Sequence, residues 1–221
     1  MHRDLESLLA AVCDAPEDDD LRGVVADWLE ENAKEDDLLA VAAVIRRELA
    51  PATSATGPAQ EGELPLPPRA MRGWTKILWG VAGVHRLERG FPDGVVLSAA
   101  DFIRVGGDLF RRVPARRVAL THAGRDAARL AGCPHLSPVL ELNLREADMT
   151  DEAVGVLARS PYVAGLRVLD LLGNAIGNGG ARELLGPNNL PEGLRLFLDV
   201  GRISYDLRGQ LRHRFDLWEE A

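Results

Sequence analysis

Cys133 and His135 stand two residues apart, a spacing at which a thiolate and an imidazole can share a zinc ion. Such a site needs about four ligands. Cys13 and the remaining histidines, His2, His85, His122 and His213, are scattered without a matching spacing, so no metal site is expected. Each cysteine sits in an apolar context and reads as a small buried hydrophobe. The acids offer two more candidates. The run EDDD at 17–20 has the composition of a calcium loop but lacks its glycine and its distant glutamate. Asp27 with Glu30 and Glu31 has the residue types for acid–base work. All three, however, fall on the solvent side of a helix whose other side holds Trp28. No glycine-rich phosphate loop, nucleophile elbow or His-Glu-x-x-His run occurs, and GGARELL at 179–185 follows a turn and opens no phosphate site. The expectation is a protein that is not an enzyme and takes no cofactor or small-molecule substrate.

The elements that would carry these residues begin with an acidic stretch. Residues 1–50 hold 14 acids against 5 bases, whereas the other 171 residues are almost balanced, and this division predicts two regions with different roles. Leu5, Leu8, Leu9 and Val12 form an apolar stripe at helical spacing. So do Leu21, Val24, Val25, Trp28 and Leu29, and then Leu38, Ala42, Ile45 and Leu49. Three short helices follow from this, with the acids at 17–20 placed to cap the second and meet its dipole. Five prolines in residues 50–68 predict a linker over 51–68, and its PLPP piece fits a spacer better than a docking motif. Met71, Trp74, Ile77 and Leu78 then predict a capping helix within an approach segment, 69–90, with Trp79 at its edge. No apolar run nears the roughly 20 residues that span a bilayer. The first residues are acidic and amphipathic where a secretion signal is basic and apolar, so a cytoplasmic protein with no membrane association is expected.

Residues 166–174, LRVLDLLGN, fit neither a plain helix nor a plain strand, and a repeat explains them. Moved by 27 residues, Leu169 and Leu171 fall on Leu142 and Leu144 in one direction and on Leu196 and Leu198 in the other. Ile176 likewise falls on Met149, and Leu184 on Leu157. Weaker copies begin at Val118 with Leu120 and at Val95 with Leu97. Five units at steps of 23–27 match the leucine-rich-repeat period. In each, a short strand turns two leucines inward, the chain bends, and a helix returns; Asn174 is placed to satisfy backbone left unpaired at the bend. Thr150, Ser98 with Asp101, and Asn178 are the expected helix caps. The equivalent of Asn174 is Ala147 before it and Gly201 after it, so no unbroken asparagine ladder is expected. The fold class expected is α/β: a short leucine-rich-repeat solenoid over 91–201, parallel strands on its concave side and helices outside, preceded by a small all-helical domain over 1–50. Leu207, Leu211, Phe215 and Trp218, at steps of four, four and three, predict a C-terminal capping helix over 202–221.

These segments resemble a bacterial grouping, the repeat-companion proteins, in which a short helical domain precedes ribonuclease-inhibitor-like leucine-rich repeats. DDDLRGVVADWLEEN at 18–32 is similar to the family signature, with Asp27, Trp28, Leu29, Glu30 and Glu31 matching it. LERGFPDGVVLSAADFI at 87–103, through Arg89, Gly90 and Phe91, is similar to the family's approach to its repeats. CPHL at 133–136, GNAIGNGGARELL at 173–185 and LRGQLRHRF at 207–215 extend the likeness over most of the chain outside the proline-rich segment, where family members often have further helix. The family has no assigned chemistry, so the resemblance implies the fold and not an activity.

Alternate residues of a strand face opposite ways, which assigns the outward face. It comprises Arg117, Ala119 and Thr121; Glu141, Asn143 and Arg145; Val168, Asp170 and Leu172; and Arg195, Phe197 and Asp199. Leu172 and Phe197 are apolar groups with no reason to face water unless a partner or the terminal helix covers them, and aromatics and arginines are common interface anchors. The function expected is a protein-binding module, a scaffold or accessory subunit with a protein partner on this face. The competing reading is a nucleic-acid-contacting subunit of a larger bacterial assembly, using Arg111, Arg112, Arg116 and Arg117 with Arg208, Arg212 and Arg214. Overall acidity and the lack of an aromatic stacking platform oppose it.

Overall fold

The computed structural model describes residues 3–50 and 67–220. Most of the expected linker, residues 51–66, lies outside the described residues, and Pro68 opens a helix at its first turn. The fold is mixed α/β, with a helical N-terminal region and a seven-stranded, mostly parallel sheet whose strands lie side by side in chain order, β1 to β7. The described residues divide between two compact units, Met1–Val95 with Asp108–Ala115, and Val96–Gly107 with Arg116–Ala221.

The first unit starts with α1 (Arg3–Asp14), α2 (Asp19–Asn32) and α3 (Asp36–Leu49), as the three stripes require. Asp18 caps α2, its carboxylate accepting from the amides of Asp20 (2.9 Å) and Leu21 (3.2 Å). The buried side of α2 is turned from the expected one. Arg22, Val25, Ala26 and Leu29 are inside, whereas Val24 is exposed and Leu21 and Trp28 are half-buried. Arg22 is tolerated because its guanidinium donates to the carbonyls of Pro16 and Glu88 and lies 5.0 Å from the centre of the Phe91 ring.

Helix α4 (Pro68–Ile77) packs on α3 closely enough that a Cβ on Gly73 would collide with the Asp37 carbonyl. It buries Trp74, whose Nε1 donates to the Gly90 carbonyl at 3.1 Å. Strands β1 (Gly83–Glu88) and β2 (Phe91–Ser98) are joined by Arg89 and Gly90, both at positive φ (51° and 79°), the two-residue hairpin geometry that suits the strand twist. Glycine is needed at 90 twice over: for that φ, and because its Cβ would come within 2.5 Å of the Ile45 backbone.

In the second unit α5 (Ala99–Leu109) begins with the expected box: Ser98 Oγ accepts from the Asp101 amide at 3.0 Å and donates to its carboxylate at 2.7 Å. Strand and helix then alternate through β3 (Arg117–Thr121), α6 (Ala127–Ala131), β4 (Glu141–Asn143), α7 (Asp151–Ala158), β5 (Val168–Asp170), α8 (Asn178–Leu185), β6 (Arg195–Asp199), α9 (Tyr205–Arg214) and β7 (Asp216–Glu220). The 27-residue step becomes a sheet register. Val118, Leu142, Leu169, Leu196 and Leu217 are successive partners in parallel pairing. Leu144, Leu171 and Leu198 are fully buried, and the ladder continues through them: the Leu144 amide donates to the Asp170 carbonyl and the Leu171 amide to the Phe197 carbonyl. On the helices, which pack in chain order, Leu130, Leu157, Leu184 and Leu211 keep the same step and are all buried. None of these short strands and helices could hide its apolar side alone.

Asn174 does what its position suggests. Its Oδ1 accepts from the amides of Ala147 (3.1 Å) and Met149 (2.9 Å) in the preceding bend, while its Nδ2 donates to the carbonyls of Leu144, Leu171 and Leu172. Thr150 caps α7 through the Ala153 amide. Asn178 does not cap α8. It is the helix's first residue, and its carboxamide oxygen accepts from the Ser204 amide ahead of α9 (2.8 Å).

The C-terminal expectation also needs correction. The capping helix stops at Arg214; Phe215 turns extended, and residues 216–220 form β7, parallel to β6. The sheet edge offers backbone partners that a longer helix would leave unused. Leu217 takes the place beside Leu196 that the pattern reserves for an apolar side chain.

Candidate functional site

Opposite the row of buried leucines, the second unit presents a second row in the same register: Ala119, Asn143, Asp170, Phe197 and Trp218. Beside it runs Arg117, Glu141, Val168, Arg195 and Asp216. The parallel strands thus bring most of the expected outward residues onto one face. Thr121 and Arg145 are exposed at strand ends.

Leu172 does not belong there. It is 3% exposed: β5 ends at Asp170, whose carboxylate accepts the Leu172 amide at 3.0 Å, and Leu172 lies beyond the strand. Alternation holds only while the strand lasts.

Several polar members of the face have local structural duties. Asn143 Oδ1 accepts from the Arg145 amide at 2.9 Å, the same link, one strand earlier, that Asp170 makes to Leu172. Asp199 accepts the Gly173 amide at 2.6 Å. Arg117 pairs with Glu141 (3.0 Å) and Arg195 with Asp216 (3.3 Å). Neither Asp170 nor Asp199 is in an ion pair among the described residues.

Phe197 is half-buried, and what lies against it is the indole of Trp218. The rings stack with centroids 5.9 Å apart and planes 28° apart, and Trp218 is 56% exposed. Reading Trp218 as part of a helix hid this pair. The signal that would have shown it was Leu217 as one more apolar residue on the strand register, which puts its neighbour Trp218 outward beside Phe197.

The arginines are largely committed. Arg111 pairs with Asp108. Arg112 is buried, bonds Glu6 at 2.6 Å and lies 3.8 Å over the Trp79 ring, beside a surface cavity of about 380 Å³. Arg116 donates to the Pro138 carbonyl and Arg208 to that of Ile203. Arg212 pairs with Glu219 at 2.6 Å, and Arg214 ties the carbonyls of Leu185 and Gly186 to Asn188.

The early chemical candidates have ordinary surroundings. Burial pushes the Cys13 thiol up to about 12, with Asp14 adding to the rise and Arg22 opposing it, and burial also raises the Cys133 thiol. Both stay protonated at neutral pH, the unreactive form. Asp27 and Glu30 are exposed and share Arg46. Among the described residues no three His, Cys, Asp or Glu are grouped to hold a metal ion, and no helix is long and apolar enough to cross a membrane.

The class that the geometry defines is a mixed α/β protein whose mostly parallel sheet buries a leucine row on one side and carries charged and aromatic residues on the other. Compared with known proteins, the chain matches no family model and no curated protein.

Proposed function

We propose that the chain from about Val95 is a leucine-rich-repeat solenoid of the kind carried by repeat-companion proteins, and that it acts without catalysis as a cytoplasmic protein-interaction module or accessory subunit. The partner is a protein, held on the sheet face that such a solenoid makes concave. One observation carries this reading: the stacked pair of Phe197 and Trp218, with Trp218 56% exposed on a face whose opposite side is fully packed. A contiguous pair of aromatics on a sheet face marks an interaction site more than a lone exposed ring does, and aromatics supply much of the energy at protein interfaces. The in-register leucines support the repeat assignment. Because the arginines needed for phosphate contact are already matched by acids or carbonyls, a protein partner is favoured over nucleic acid.

A photo-reactive residue placed at Thr121 on this face, and at Gln210 on α9 as a control, tests the reading in the native host. Cross-links to a discrete partner from position 121 but not from 210, lost in Phe197→Ala with Trp218→Ala, are expected. Equal recovery from both positions, or recovery indifferent to the aromatic pair, overturns it.

A further inference from the structure

The aromatic pair sits among charges that do not balance. Around Phe197, Arg195 is matched by Asp216 at 3.3 Å. Asp170 is the register partner of Phe197 on β5, and Asp199 lies two residues further along β6 on the same face. Their Cα atoms are therefore within about 5–7 Å of that of Phe197. Each carboxylate accepts one backbone amide, of Leu172 and Gly173 respectively, and has lone pairs to spare. An aromatic pair with an exposed indole, flanked on β5 and β6 by two carboxylates that form no ion pair among the described residues, combines the two features that attract an organic cation, ring quadrupole and negative charge.

We infer that the shelf formed by Phe197, Trp218, Asp170 and Asp199 receives an arginine or lysine side chain from a basic segment of the protein partner. The cation lies against the aromatic pair and is met by the carboxylates that flank it. Arginine is the better fit, since its planar fork stacks on an aromatic ring while donating sideways to carboxylates. This inference rests on the protein-binding reading above and names the chemistry of the partner.

Fluorescence anisotropy of labelled nine-residue peptides with the full-length protein tests it. One peptide is arginine-rich, one glutamate-rich, and one uncharged with aromatic residues. The acidic first fifty residues attract any basic peptide, so the informative quantity is the effect of substitutions on the shelf. Asp170→Asn with Asp199→Asn removes charge while keeping an oxygen to accept the Leu172 and Gly173 amides, and Trp218→Ala removes the ring. Saturable binding of the arginine-rich peptide, weakened about tenfold or more by either change and unaffected by Asp20→Asn with Glu31→Gln, is expected. Basic-peptide binding that ignores the shelf substitutions overturns the inference. Binding of the glutamate-rich or uncharged peptide that depends on Trp218 overturns it too, while leaving the interaction face standing. If no peptide of any class responds to Trp218, both the inference and the face are overturned.

Discussion

The two units pack side chains and satisfy polar groups in different ways. In the first, each solution is used once: Arg22 threads between two carbonyls and a ring, and Trp74 fills the space between α4 and the hairpin with its indole nitrogen bonded to Gly90. In the second, one solution is reused. Leucines recur at a fixed step, and an Asx link closes the strand end at Asn143 and again at Asp170. In the first unit single side chains combine packing with a polar bond, whereas in the second these duties are divided among recurring residues.

Trp74→Ala should therefore have the largest effect. It empties a fully buried site and strips the Gly90 carbonyl of its donor, and a loss of about 3–5 kcal/mol is expected from denaturant unfolding followed by circular dichroism. A loss comparable to that of a surface change would mean that the first unit repacks freely, and the comparison would fail.

Asn174 breaks the rule of the second unit, since the positions 27 residues before and after it hold Ala147 and Gly201. Five hydrogen bonds converge on its side chain. Asn174→Ala takes from the Met149 amide and the Leu171 carbonyl the partner shown for each, while the Ala147 amide and the Leu144 and Leu172 carbonyls keep a backbone partner, and a cost of about 2–3 kcal/mol is expected. Asn143→Ala frees a single exposed amide and should cost well under half as much in the same assay. Equal costs would show that the convergence on Asn174 has no energetic meaning.

How far the sequence revealed this arrangement depends on whether the information was local. Asn174, the Ser98 box and the paired leucines are set by neighbours or by a constant step, and all stand where the sequence puts them. Leu172 and Trp218 do not. The steps of four, four and three from Leu207 to Trp218 are those of a helix, and only the free edge of β6, across the intervening α9, makes residues 216–220 a strand. Leu172 was misplaced because its spacing cannot say where β5 ends. Arg22 was hidden for a related reason: a charged residue is read as solvated until its carbonyl partners, one of them 66 residues away, are known. The aromatic shelf was thus half legible, Phe197 from alternation and Trp218 not at all.

The cap of α5 gives a smaller effect with a pH signature. Ser98→Ala removes the bond to the Asp101 amide and should cost about 1 kcal/mol. The hydrogen bonds from Arg104 and then Ser98 hold the Asp101 carboxyl below its usual value. Since the folded pKa is the depressed one, the associated stability is complete above the unfolded value of about 3.9 and is lost as pH falls through the folded value. Asp101→Asn should flatten this part of the stability profile below pH 4. An unchanged acid slope would show that the box is not closed in solution.

The smallest effect sharpens the comparison within the first unit by setting two arginines against each other. Arg46 on α3 reaches Asp27 and Glu30 on α2, but its side chain is 42% exposed and both acids lie in water. Ordering the long Arg46 and Glu30 side chains offsets much of the attraction, and salt screens what is left. Arg46→Gln should thus lower stability by less than about 1 kcal/mol, and the difference should vanish in high salt. Arg22→Gln abandons the Pro16 and Glu88 carbonyls in a buried setting and should cost more at every salt concentration. If raising the salt erased the Arg22 difference as well, its role would be that of a surface charge, and the burial of α2 on its Arg22 side would be wrong.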